Sequence, residues 1–261
     1  MTTERPADRP ETEEITFIGH GGHELIGVLH RPPQRAKGAV LMAHCFTCSK
    51  DLHTMTRLAS ALSDAGFAAF RFDFTGLGES EGDFSKKTLS GNVTDIVRAA
   101  TKLIELGFGP CGIVGHSLGG TAVLLAAKKL KTVRSVATIA SPAEASHVRH
   151  LLAEDEDDLL AKGIADVSIG GRVFTLEAAF IHDLKTHDVL DAVRDLGRPY
   201  MTLHAEDDTT VSISDAEELH EAAVGEKKLV RLPAGGHLFG NRAAADAMTK
   251  EVAAWFTSTL G

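Results

Sequence analysis

Across residues 13–19 and 24–30 polar and apolar positions alternate with the period of a half-buried strand, and His20-Gly21-Gly22-His23 between them supplies the glycines of a tight turn. An antiparallel hairpin is predicted. After Pro32-Pro33 the alternation gives way to short continuous apolar runs at 39–43, 67–72 and 112–114, as expected of strands buried on both faces. Helical spacing fills 51–65 and 89–106, further strands are predicted over 133–139, 199–204 and 227–232, and a last amphipathic helix runs to Thr259. Strands alternating with helices predict an α/β fold, a mostly parallel sheet with helices on both faces. Residues 142–197 break this rhythm. They hold an acidic helical piece, a Gly170-Gly171 turn between extended segments, and more helix, which reads as a small cap inserted over the sheet. Residues 1–12, charged and Pro-containing, read as a disordered tail, leaving 13–261 as one domain.

Composition narrows the function classes. Hydrophobic residues are 43% of the chain and charged ones 24%, enough apolar surface for a sizeable core. The net charge of −9 has no basic block to neutralise phosphates, so nucleic acid is not an expected partner. The first ten residues are polar, and no apolar run reaches the ~18 residues of a spanning helix. A cytoplasmic protein without membrane contact is therefore the expectation. Three cysteines give no sign of a disulfide framework. Nothing indicates an oligomeric state.

Gly115-His116-Ser117-Leu118-Gly119 lies between the apolar strand ending at Val114 and a segment, 118–129, of helical composition. At such a junction flanking glycines allow a sharp turn that lifts a serine hydroxyl clear of the sheet, and the pattern resembles the nucleophile elbow of α/β-hydrolases. Taken alone, a Gly-Ser-Gly cluster is also an ordinary turn. A serine hydroxyl needs a histidine to take its proton and a carboxylate to orient that histidine, and in this fold both follow the serine in the chain. The acid is expected in Glu206-Asp207-Asp208, after the strand at 199–204; the spacing Asp-x-x-Val selects Asp208, with Asp207 and Glu206 as alternatives. His237, following Gly235-Gly236 after the strand at 227–232, is the candidate base. Among thirteen histidines, His204 precedes the acid and His220 lies in a helical stretch, so neither fits the order.

The oxyanion formed by attack on a carbonyl is expected at the backbone N–H groups of Leu118 and Phe46. Cys45 stands in the Phe46 loop where such loops carry glycine. Cys45 and Cys48 also form a C-x-x-C pair, open to a redox or half-zinc reading, although the strand and helix order is not thioredoxin-like. Asp73-Phe74-Thr75-Gly76-Leu77-Gly78-Glu79-Ser80 lacks the lysine of a phosphate loop, so Asp73 is read as tying the loop down. His147 and His150, at i and i+3, and the acidic run 154–158 read as solvated cap surface.

The segments 44–51 and 71–80, with the elbow through Gly120, resemble bacterial α/β-hydrolase domains joined in some proteins to an OsmC-like domain. The resemblance implies that a cysteine at position 45 is usual in that subgroup. The 261 residues end before any such partner, so its thiol peroxidase activity is not expected of them. The function read from sequence is hydrolysis of a small-molecule ester through Ser117, Asp208 and His237, without cofactor or metal. A peptidase or amidase using the same three residues, and a non-catalytic ligand-binding protein of this fold, are the alternatives.

Overall fold

Apolar runs with no polar face can be satisfied only in the middle of a layered structure, and that is where the computed structural model places them. It describes residues 11–152, 155–169 and 171–261. Strands β1 (Glu11–Ile18) and β2 (Glu24–Arg31) form the hairpin, and β3 (Ala39–Ala43), β4 (Ala68–Phe72), β5 (Pro110–His116), β6 (Ser135–Ile139), β9 (Tyr200–Ala205) and β10 (Lys227–Leu232) complete one sheet. Its order is β1-β2-β4-β3-β5-β6-β9-β10, antiparallel where β2 meets β1 and β4 and parallel elsewhere.

Successive strand residues point to opposite faces, so one strand feeds two cores. Leu41, Phe70 and Phe72 join a core with α2 (Leu89–Glu105) and α3 (Leu118–Ala127), whereas Val40, Met42 and Ala69 join another with α1 (His53–Asp64) and α8 (Arg242–Leu260). The sheet is covered on both sides, as expected of a mostly parallel α/β fold.

Between β6 and β9 lie a 3-10 helix (Ala145–Leu152), α4 (Glu156–Lys162), the two-stranded β7 (Ile164–Ile169) and β8 (Arg172–Glu177), α5 (Ala179–Leu184) and α6 (Val189–Arg194); α7 (Ile213–Ala222) follows β9. The stretch read as a cap, 142–197, carries the elements from the 3-10 helix to α6. Its final helix α6 packs on α3 and α7, with Lys128, just past the end of α3, bridging Asp191 and Asp195, and so belongs to the helix layer. Glu11 and Thr12, expected in the tail, pair with Arg31 and His30 in the hairpin. Residues 1–10, Glu154 of the acidic run and Gly170 of the cap turn lie outside the described residues. Among the described residues no helix is long and apolar enough to cross a membrane.

Candidate active site

Ser117 sits between β5 and α3 with φ 54 and ψ −127, a left-handed backbone that a residue with a Cβ adopts only when its surroundings enforce it. Those surroundings are visible in its glycine neighbours. A Cβ on Gly115 would lie 2.3 Å from the carbonyl oxygen of Gly119, and a Cβ on Gly119 would lie 2.2 Å from that of His44. Both contacts would be against backbone atoms, which cannot yield cheaply. The start of α3 is thereby pressed against the loop after β3, which brings Leu118 and Phe46 to the same small cavity as Ser117. Leu118 opens α3, so its N–H is among the first four that find no partner inside the helix.

His237 reaches Ser117 from the loop after β10. The Ser117 hydroxyl donates to His237 Nε2 at 2.9 Å, and His237 Nδ1–H donates to Asp208 Oδ2 at 2.9 Å. Asp208 Oδ1 accepts the N–H groups of Thr210 and Val211 at 2.8 and 3.0 Å. Its side chain is fully buried. Burial alone would raise the carboxyl; hydrogen bonds from His204 and His237 outweigh it and hold Asp208 well below the usual carboxylate range. The alternative acid, Asp207, points elsewhere. Its Oδ1 accepts from Gly235 and Gly236 at 2.8 and 2.7 Å, tying the acid loop to the histidine loop. Glu206 is exposed.

The histidine loop is held at two further points. His116, the residue before Ser117, donates Nε2–H to the carbonyl of His237 at 2.7 Å, and Thr54 donates its hydroxyl to the carbonyl of Leu238 at 2.6 Å. Burial pushes the His116 imidazole down to about 3. His44, also buried, donates Nδ1–H to the Cys45 carbonyl at 2.8 Å and accepts from the Phe74 N–H at 3.3 Å; burial lowers it to about 3 as well. These contacts define neutral tautomers.

The loop carrying Phe46 departs from expectation, because Cys45 and Cys48 are joined in a disulfide. The count of three cysteines suggests no disulfide framework, and the spacing leaves the redox reading of the pair open; the turn brings the two Cα atoms to 5.3 Å, inside bridging range. Behind it, buried Lys50 binds Asp73 at 3.0 Å, Asp51 at 3.2 Å and Glu79, while Asp73 accepts the N–H groups of Lys50 and Glu79 at 2.6 and 3.0 Å. Asp73 thus anchors both loops. Lys87 lies under the Phe46 ring, its ammonium 5.9 Å from the centroid, and burial lowers it to about 7. The cap closes the cavity with Pro142, Val148 and Leu151. His147 donates Nε2–H to the Thr210 carbonyl at 3.0 Å, and its ring is 4.5 Å from that of His150. Lys50, Lys87, His116 and His204 were not singled out in the sequence as part of the site. Only their burial and partners mark them, which no spacing conveys.

A family model described as the alpha/beta hydrolase family matches residues 40–255. The esterase domain of a Rhodothermus marinus protein is 35% identical, covers 96% of this chain and all of that one, and superposes with a TM-score of 0.79. Est1E of Butyrivibrio proteoclasticus, solved with ferulic acid, superposes at 0.83 with 22% identity over 94% and 99% of the two chains, a likeness of fold. The uncharacterized protein YfhR of Salmonella typhimurium is 26% identical over 92% of this chain and 81% of its own length.

Proposed function

The chain belongs to the alpha/beta hydrolase family, and from that premise we propose that it is a serine hydrolase that cleaves small carboxylic esters through an acyl-enzyme. The observation that carries the reading is the unbroken relay from Asp208 through His237 to Ser117, two hydrogen bonds of 2.9 Å each. His237 Nε2 takes the hydroxyl proton as Ser117 Oγ attacks the ester carbonyl, and Asp208 fixes the imidazole tautomer and stabilises its developing charge. The oxyanion is received by the N–H groups of Phe46 and Leu118. On collapse the alcohol leaves with the proton from His237, and water, deprotonated in turn by His237, releases the acid and restores Ser117.

The cavity beside Ser117 is narrow, with a volume of about 20 Å³ and an apolar wall of Phe46, Pro142, Val148 and Leu151, which favours a short acyl group over a bulky one. The esterase domain from R. marinus supports an ester over an amide. The further likeness to hydrolase domains joined to OsmC-like domains rests on the motifs at 44–51 and 71–80.

The test is steady-state hydrolysis of p-nitrophenyl esters of increasing acyl length by the wild type and Ser117→Ala. Short esters are expected to be preferred, and the substitution to lower kcat by on the order of 10⁶. Hydrolysis that survives it refutes the reading.

A further inference from the structure

Chain order set His204 aside, since it precedes the acid, yet its imidazole lies beside the same Asp208 carboxylate oxygen that receives His237. His204 Nε2 is 3.3 Å from Asp208 Oδ2 and 2.9 Å from the Val211 carbonyl, and both side chains of the pair are fully buried. Both neighbours of Nε2 accept, so Nε2 carries the proton: it is donated to the Val211 carbonyl, and Asp208 Oδ2 lies within reach as a second, longer contact. Nδ1 has no partner among the described residues. The whole hydrogen-bonding capacity in use on this ring is therefore spent on the loop that holds the acid.

We propose that His204 is a positioning residue of the acid–base pair, donating to the Asp208 oxygen that also accepts from His237 and thereby setting how strongly that oxygen pulls on the His237 Nδ1 proton. The inference rests on the serine-hydrolase reading above. Two donors on one carboxylate oxygen share its electron density. Without His204, Asp208 Oδ2 becomes a stronger acceptor, the imidazolium of His237 gains stability, and more of the enzyme is protonated and idle at a given acidic pH. The groups facing this centre are few. His237 comes from the loop after β10 and His116 from the end of β5, its ring 5.1 Å from that of His237. Asp207 turns away to Gly235 and Gly236, and His147 of the cap is occupied by the Thr210 carbonyl. Within this set His204 alone adds a donor to the acid without touching the nucleophile or the base.

The experiment compares His204→Leu, which removes the donor, with His204→Gln, whose amide reaches about as far as Nε2. The acidic limb of the kcat/KM profile is expected to move to higher pH by roughly 0.5–1 unit in the leucine variant, with KM nearly unchanged and the glutamine variant close to wild type. A purely structural histidine gives a lower kcat with the limb unmoved, or moved to lower pH as Asp208 drifts away; either result overturns the proposal. If His204→Leu does not fold, His204→Asn, polar but too short to reach Asp208, takes its place with the same two outcomes. Fluorophosphonate labelling of the wild type separates the failures. A wild type that neither labels nor hydrolyses esters overturns the hydrolase reading, whereas an active wild type with unmoved variants overturns the role of His204 alone.

Discussion

Replacing Asp208 and Asp207 in turn by asparagine separates two carboxylates that are adjacent in sequence and opposite in purpose. At position 208 the side chain is buried and receives Nδ1–H of His237 together with two backbone N–H groups. An amide there carries no charge to stabilise the imidazolium and can turn its NH₂ towards Nδ1, favouring the unproductive tautomer. The same change in a serine-protease triad lowers kcat by about 10⁴, close to 5.4 kcal/mol of barrier. Position 207 is exposed and only joins two loops through Gly235 and Gly236. Asparagine keeps an acceptor oxygen, so the loss is the charge assistance of two surface bonds, about 1 kcal/mol in all. That corresponds to roughly 2–4 °C in Tm for a chain of this size, with kcat within about tenfold of wild type. Kinetics with a p-nitrophenyl ester and a thermal melt of each variant supply both numbers. A larger loss of kcat in Asp207→Asn than in Asp208→Asn would refute the assignment of the acid.

Gly119→Ala is expected to cost activity despite alanine's better helix propensity, because its Cβ would meet the His44 carbonyl at 2.2 Å and push the Phe46 loop from Leu118; a kcat lowered by about 10²–10³, the effect of losing one oxyanion donor, is the expected reading, and an unchanged kcat argues against the hole. Acid should destabilise the fold from pH 6.5 downwards. Folded His44 and His116 stay neutral to about pH 3, whereas their unfolded value is 6.5, so between those limits the unfolded chain binds more protons. Stability is then full above 6.5 and falls by up to about 1.4 kcal/mol per pH unit for each group as pH drops. Urea midpoints from pH 8 to 5 check this, and His116→Asn should remove one proton's share of the slope; a flat profile contradicts it. Reduction of Cys45–Cys48 frees the loop around Phe46 and is expected to lower kcat more than it changes KM. Equal rates before and after two new thiols are titrated would show that the loop holds its shape unaided.

Hydrophobic periodicity was sufficient for the sheet and its helices because strands buried on both faces and helices with one apolar face leave distinct patterns, as at residues 39–43 and 89–105. The elbow was legible for a related reason: glycines at 115 and 119 answer a backbone approach that no other residue permits. The disulfide was not, since it depends on a local turn bringing Cys45 within reach of Cys48, and a CxxC spacing allows several geometries. His116 and His204 were passed over because their significance lies in contacts to His237 and Asp208. Lys50 has the same character, as its acids at 73 and 79 lie on another loop. The place of α6 in the helix layer was not legible, because it rests on packing against α3 and α7, elements distant in sequence.

The sheet order has one more consequence. Ser117 rises from β5, deep within the sheet, whereas His237 follows β10, an edge strand that among the described residues ladders only to β9. Edge elements open at lower free energy than central ones. A partial opening that peels β10 away would separate the base from the nucleophile while β3, β5 and β6 stay paired. Competence for hydrolysis then tracks the local stability of one border of the molecule, and a population can retain nearly all of its secondary structure yet be inactive.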